Sequence, residues 1–137
     1  MGIPNFAPAF DTDHIKPFYE GLGKGELRLT ACSVCGTWHW YPPDILPCHP
    51  EGHIVWKPVK AEGTIYMFTT VQRSLLPGDH KSETPYTVIF VESDDVPGAR
   101  VPALYVNANG REPKCGMRVR LAPVKAGDHT VAAFEPI

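Results

Sequence analysis

The spacing of apolar and polar residues predicts a chain that is mainly β, with one short helix near the N-terminus. Apolar residues recur at helical spacing only over residues 11–22, where Ile15, Phe18, Tyr19 and Leu22 share one side. Because an isolated helix of this length is marginal in water, we expect that side to pack, most simply on its own chain. Short polar side chains that can cap its first turn precede it: Asp11, Thr12 and Asp13.

From residue 54 onward, strand-like runs alternate with turn signals. The first run bends or bulges at Pro58 and Gly63, and Pro102 marks an edge or a bulge in the third run. Five strands with a bent first strand and glycine-rich turns predict a small closed barrel of the OB type. The runs are rich in β-branched and aromatic residues and cover residues 55–72, 86–92, 100–106, 118–124 and 130–135.

Between the helix and the barrel, the chain predicts a small ribbon-like module. Residues 26–30 alternate, with Leu27 and Leu29 on one face, and residues 38–41, WHWY, are expected to form a second short strand. The aromatic rings of this run are expected either to form the core of the module or to provide a stacking surface. A core is the favoured prediction, because small modules need bulky apolar side chains to cover them. The sequence thus predicts three units: an N-terminal arm and helix at residues 1–25, a zinc-ribbon-like module at residues 26–56, and an OB-fold barrel at residues 57–137.

The ribbon-like module carries a candidate metal site. Residues 32–53 hold three of the four cysteines and three of the six histidines. Cys32 and Cys35 precede Gly36 in the C-x-x-C-G spacing of a zinc knuckle, where two thiolates converge on one ion. Cys48 begins a second knuckle, in which a zinc ribbon would have another cysteine three residues later. The candidates for the fourth ligand follow Cys48 closely: His49, Glu51 and His53.

His53 suits a site with three cysteines, since imidazole binds zinc beside thiolates more readily than a carboxylate does, while Glu51 fits the spacing better. This irregularity leaves two other interpretations open. In the first, the cysteines are simply reduced, buried side chains and the histidines lie on the surface. In the second, the ribbon keeps its fold but binds metal weakly or not at all. Zinc held by four protein ligands would be structural, because no position stays open to substrate. Cys115 stands apart and is expected to be a small buried side chain.

Composition limits the possible functions. The chain has 137 residues, of which 43% are apolar, which is enough for one packed core with a small appendage. A net charge of -2 offers no electrostatic basis for indiscriminate nucleic-acid binding. No stretch approaches the roughly 18 apolar residues of a membrane span, and the N-terminus lacks signal-peptide features. We therefore expect a soluble, cytoplasmic protein.

No sequence motif constitutes a catalytic site by itself. The chain lacks a Walker motif, a G-x-S-x-G elbow, a G-x-G-x-x-G loop and an H-E-x-x-H helix. An enzyme using His39 or His80 as a base is conceivable, but neither histidine has a nucleophile paired with it. The loops at residues 75–85 and 107–116 are most simply solvated turns.

Taken in order, PFYEGL, GELRLTAC, the C-x-x-C-G turn, WHWYPP, a second knuckle and GTIYMFTTV resemble a family once known only as a domain of unknown function. Its members place a rubredoxin-like zinc ribbon before an acyl-CoA-associated OB fold. The resemblance extends from about Asp13 to Phe134. It implies a thiolase-like catalytic partner, with an acyl-CoA substrate at the shared interface. Glu51 replaces the family's usual fourth cysteine, so a site of four cysteines cannot be carried over.

The resemblance further implies a non-catalytic accessory subunit. The first candidate reaction is retro-aldol cleavage of steroid-type side-chain CoA esters by a lyase complex, and an acyltransferase or thiolase complex is the alternative. By analogy, two copies of each chain would form a heterotetramer. A nucleotide or nucleic-acid binding OB module is the alternative from another class, and it requires a basic groove with exposed aromatics. Cations on barrel loops are candidates for contacts with the CoA phosphates: Arg73, Lys81, Arg111 and Lys114.

Overall fold

Five strands close into a barrel, in the order β3 (Glu62–Val71), β4 (Tyr86–Ser93), β5 (Arg100–Tyr105), β9 (Ala133–Pro136) and β6 (Arg118–Leu121). The computed structural model describes residues 3–4, 9–75, 77–78 and 81–137, and most of the predicted N-terminal arm, with His80, lies outside them. A 3-10 turn at Lys81–Glu83 precedes β4. The elements are α1 (Lys16–Gly23), β1 (Leu27–Cys32), β2 (Ile54–Val59), β3 (Glu62–Val71), β4 (Tyr86–Ser93), β5 (Arg100–Tyr105), β6 (Arg118–Leu121), β7 (Val124–Ala126), β8 (His129–Val131) and β9 (Ala133–Pro136).

The prediction of a mainly β chain with a five-stranded closed barrel is confirmed. Neighbouring strands are antiparallel except β5 and β9, which are parallel. Alternate side chains of each strand point to opposite faces, so each strand contributes apolar side chains to the barrel interior. In the described part of the chain, no helix is long and apolar enough to span a bilayer. Fully buried core residues come from all five strands: Ile65, Ile89, Val101, Val119 and Phe134.

Gly63 lies where β3 passes between β4 and β6. A Cβ atom at Gly63 would lie 2.4 Å from the carbonyl oxygen of Glu92, so only glycine allows this close approach. The register of β3 then shifts between Ile65 and Met67, which places the bulge just beyond the predicted position. Pro102 pairs with β4 on the half of β5 that β9 does not reach, as expected for a strand edge.

The helix is shorter than predicted at its start. Ile15 is the N-cap residue, without a side-chain hydrogen bond, so the prediction of a cap at Asp11, Thr12 or Asp13 is wrong. The Thr12 carbonyl instead accepts the N–H groups of Ile15 and Lys16. At the other end, Gly25 has a φ of +75° and donates its N–H to the Leu22 carbonyl, which ends the helix.

The apolar side of α1 packs on its own chain, as expected. The Phe18 ring lies 5.4 Å from the ring of Trp40 and 6.5 Å from that of Trp56. Trp40 also donates its indole N–H to the carbonyl of Arg100, at 3.2 Å. The ribbon aromatics therefore join the helix to the barrel.

Two local expectations are wrong. Residues 38–41 do not form a strand, because only a single bridge joins Trp38 to Ala31. Trp38 and Trp40 nevertheless pack against the core, as preferred for this aromatic run. Cys115 is exposed rather than buried, since it lies in the turn before β6. The antiparallel pair of β1 and β2 extends to Val59, beyond the predicted module boundary at residue 56.

Candidate metal centre and partner surface

Three cysteines and one histidine converge in the ribbon. The ligand atoms of Cys32, Cys35, Cys48 and His49 all lie within 4.8 Å of one another. The sulfurs of Cys35 and Cys48 are 3.7 Å apart, and Cys32 Sγ is 3.6 Å from His49 Nδ1. Tetrahedral zinc, with bonds of roughly 2.3 Å to sulfur and 2.0 Å to nitrogen, separates two sulfurs by about 3.8 Å and sulfur from nitrogen by about 3.5 Å. The cluster can bind a metal ion, and its dimensions fit zinc.

The first knuckle is shaped by its backbone. Gly36, with a φ of +76°, donates its N–H to the carbonyl of Cys32, and Cys32 donates its own N–H to the carbonyl of Thr37. The N–H of Val34 points at Cys32 Sγ from 3.3 Å. A sulfur that accepts a backbone N–H is stabilised as a thiolate, which is the form that binds metal.

His49 is the histidine beside the three cysteines. His53, the first choice from the sequence, lies outside the cluster, and so does Glu51. The backbone of His53 instead joins the two knuckles, because its carbonyl accepts the N–H of Ser33 at 2.9 Å and its N–H donates to Ser33 Oγ at 3.1 Å. Spacing alone did not separate the three candidates, since all follow Cys48 within five residues.

The pKa shifts of the cluster residues indicate a site that attracts a cation. Hydrogen bonds from Thr37 lower the pKa of Cys35 to about 6, whereas loss of solvent and the two neighbouring cysteines raise the pKa of Cys48 to about 11. Burial opposes ionisation of Cys32, but backbone N–H groups outweigh it and lower its pKa. Burial also opposes a proton on His49, yet contacts with Cys32 and Cys35 raise its pKa. The potential that attracts this proton also attracts a metal ion, whose binding would release protons.

His39, considered above as a base, belongs to this region. Its Nε2 lies 3.2 Å from Cys48 Sγ. It therefore contacts a candidate metal ligand. His80 lies outside the described residues.

Three consecutive exposed residues of β3 are here called the β3 surface: Tyr66, Met67 and Phe68, which are 45%, 49% and 40% exposed, with the Arg100 guanidinium 3.7 Å from the Tyr66 ring centroid. The half of β3 beyond Ile65 pairs with β4 alone, since β6 pairs with β3 only at Glu62, Gly63 and Thr64. Neighbouring exposed apolar side chains on a strand with one open edge are typical of interaction sites.

The β3 surface continues across the sheet toward a cavity. Met67, Phe90 and Pro102 are directly paired on β3, β4 and β5, so their side chains share the outer face of the barrel. The cavity, of about 310 Å³, opens between this face, α1 and the ribbon. Its lining is mainly apolar and includes Phe18, Tyr19, Trp40, Val88 and Leu104.

The cations predicted to contact CoA lie on two loops. Arg73 and Lys81 are exposed in the connection between β3 and β4, and Arg111 and Lys114 are exposed in the connection between β5 and β6. Arg111 also donates a side-chain hydrogen bond to the carbonyl oxygen of Ile137, at 3.0 Å. Their contact with CoA remains a prediction.

Comparison with known proteins agrees with this architecture. Residues 56–123 match the family model of the ChsH2 C-terminal OB-fold domain. A chain of the structure described as the Ltp2-ChsH2(DUF35) aldolase is similar over 95% of this chain and 98% of its own, with a TM-score of 0.79 and 22% identity. A DUF35 protein of unknown function from Sulfolobus solfataricus is similar over 94% and 89%, with a TM-score of 0.61 and 11% identity. A search of curated proteins found no match. Residues 56–123 therefore match the ChsH2 C-terminal OB-fold family, and the chain as a whole shares the fold of these DUF35 chains.

Proposed function

We propose that this chain is a non-catalytic subunit of a thiolase-like complex that acts on acyl-CoA thioesters. The observation that carries the proposal is the end-to-end similarity to one chain of the Ltp2-ChsH2(DUF35) aldolase, which covers 98% of that chain. The likeness includes the ribbon as well as the barrel, because it spans 95% of this chain. Retro-aldol cleavage of a steroid-type side-chain CoA ester is the first candidate reaction.

The chemistry of the described residues supports binding more than catalysis. Zinc is the ion we propose for the metal centre, where four protein ligands would make it structural. In the cavity, burial and the proximity of Tyr41 raise the pKa of Tyr19, so this phenol stays protonated and can donate a hydrogen bond at neutral pH. The proton transfers of aldol cleavage would then be carried out by residues of the partner.

The β3 surface supports association with a partner. Aromatic residues and methionine are enriched in the buried centres of interfaces, and a stable interface covers roughly 800 Å² on each side. Phe90 and Pro102 lie on the same outer face as Met67, and Pro102 also lines the cavity. A partner docked here would adjoin the cavity, which is large enough for part of an apolar acyl group.

Co-expression with a thiolase-like protein from the same organism tests the proposal. Size-exclusion chromatography with light scattering is expected to show a complex with the mass of two copies of each chain. Cleavage of an acyl-CoA substrate should require both proteins, and acyl transfer without cleavage would select the alternative reaction. If this chain elutes alone and the partner is fully active without it, the proposal is wrong.

A matched pair of variants locates the interface. Met67→Glu places a charge in the β3 surface, and burying it against a partner should weaken the complex by about tenfold to a hundredfold. Leu75→Glu is the control, because Leu75 is 93% exposed and lies in the loop after β3. Equal binding by both variants would exclude the β3 surface from the interface.

A further inference from the structure

We propose that His39 supports the metal centre without coordinating the ion, by donating its imidazole N–H to the sulfur of Cys48. The Nε2 atom of His39 lies 3.2 Å from Cys48 Sγ. The inference rests on the metal centre of Cys32, Cys35, Cys48 and His49 described above. It assigns a role to a histidine that the ligand set leaves unused.

Membership of the ligand cluster separates hydrogen bonding from coordination. A nitrogen and a sulfur bound to the same zinc ion lie about 3.5 Å apart, and Cys32 Sγ and His49 Nδ1 match this at 3.6 Å. His39 Nε2 lies 3.2 Å from Cys48 Sγ, but His39 is absent from the group whose ligand atoms are mutually within 4.8 Å. His39 thus contacts one ligand rather than the position of the ion.

The backbone holds His39 in place from the buried side of the ribbon. Its N–H donates to the Thr30 carbonyl at 2.9 Å, and Thr30 Oγ1 donates back to the His39 carbonyl. Thr30 is fully buried in β1. On either side of His39, Trp38 and Trp40 pack against the core. The imidazole is therefore positioned by structure that does not depend on the metal ligands.

With His39 included, each sulfur of the cluster has at least one hydrogen-bond donor available. The N–H of Val34 serves Cys32 at 3.3 Å, and the Thr37 hydroxyl lies 3.1 Å from Cys35 Sγ. The hydroxyl proton can rotate to donate once that sulfur is a thiolate. Three thiolates on a divalent ion leave one net negative charge, which such donors disperse. Cys48 is exposed, so its donor also lowers its reactivity toward electrophiles.

The test compares zinc affinity and cysteine alkylation in the full-length protein. His39→Phe keeps a ring but removes the N–H, and should lower zinc affinity about tenfold in competition with a chromophoric chelator. In the zinc-loaded protein, iodoacetamide should modify Cys48 several-fold faster, with Cys35 unchanged, as mapped by peptide mass spectrometry. His39→Gln keeps an N–H donor and should restore most of both properties.

Two further variants keep the result interpretable. Thr37→Val removes the donor beside Cys35 and should accelerate alkylation there, leaving Cys48 at the wild-type rate. His53→Ala, in the same ribbon but outside the cluster, should match the wild type.

Three results would overturn the inference. Wild-type affinity and Cys48 alkylation in His39→Phe would show that the N–H has no effect. Equal losses in His39→Gln and His39→Phe would show that the ring itself is required. A wild-type protein that takes up no zinc would refute the metal centre as well, and elemental analysis distinguishes this case from the other two.

Discussion

Replacing His49 by alanine should weaken zinc binding strongly, whereas His53→Ala should not. The sequence favoured His53, while the structure places His49 Nδ1 3.6 Å from Cys32 Sγ and leaves His53 outside the cluster. His49→Ala would leave three sulfur ligands and an open coordination position. His53→Ala retains the backbone hydrogen bonds with Ser33, so it should preserve the junction between the knuckles.

The expected magnitude follows from the number of ligands. Structural zinc in small domains contributes about 10–16 kcal/mol in apparent binding free energy near neutral pH. One ligand of four therefore accounts for about 3 kcal/mol, which corresponds to roughly a hundredfold change in affinity. The ribbon should remain partly folded, because Leu29, Ala31 and Leu46 are buried independently of the ligands.

Two measurements are sufficient. Elemental analysis gives the zinc content of the wild type, His49→Ala and His53→Ala, with Cys48→Ser as the variant expected to lose the metal. Chelator competition then gives the affinities. Cobalt substitution adds a spectroscopic check, since absorption bands of tetrahedral Co²⁺ should change when a nitrogen ligand is lost. Loss of zinc in His53→Ala with full retention in His49→Ala would refute the ligand assignment.

Two stability predictions concern the barrel. Gly63→Ala should destabilise the protein by about 2 kcal/mol in urea unfolding, because its Cβ would lie 2.4 Å from the Glu92 carbonyl oxygen; Gly23→Ala, with open space around it, is the control. Hydrogen bonds from Arg118, at 2.6 and 2.7 Å, hold the pKa of Asp94 below its ordinary value of 3.8. The ionised form of Asp94 therefore stabilises the fold by about 1 kcal/mol above that pH. The difference in free energy of unfolding between the wild type and Asp94→Asn should shrink as the pH falls below about 4. If the difference in free energy of unfolding between these two proteins stays constant from pH 7 to pH 3, this role of Asp94 is wrong.

Strand-like runs separated by turn signals were sufficient to predict a five-stranded barrel, although β2 and β3 were predicted as one bent run and β7 and β8 were not predicted as separate strands. The apolar, β-branched and aromatic run at residues 86–92 predicted β4, in which the alternate residues Thr87, Ile89 and Val91 are buried. This works because alternate side chains of a strand point to opposite faces, whatever the strand pairs with. The helix start was missed because the Thr12 carbonyl, rather than a polar side chain, accepts the first N–H groups. Every residue has a backbone carbonyl, so this arrangement cannot be recognised from the residue types in the sequence.

The sequence by itself determined the fold class, the ribbon before the barrel, and three of the candidate metal ligands, since these depend on local spacing. Only the tertiary structure decided which residues meet across the chain. It brought His49 into the cluster and His39 against Cys48. It also joined Met67, Phe90 and Pro102 into one outer face. The physical reason is that such contacts depend on strand register and on how two knuckles fold together, which distances along the chain do not specify.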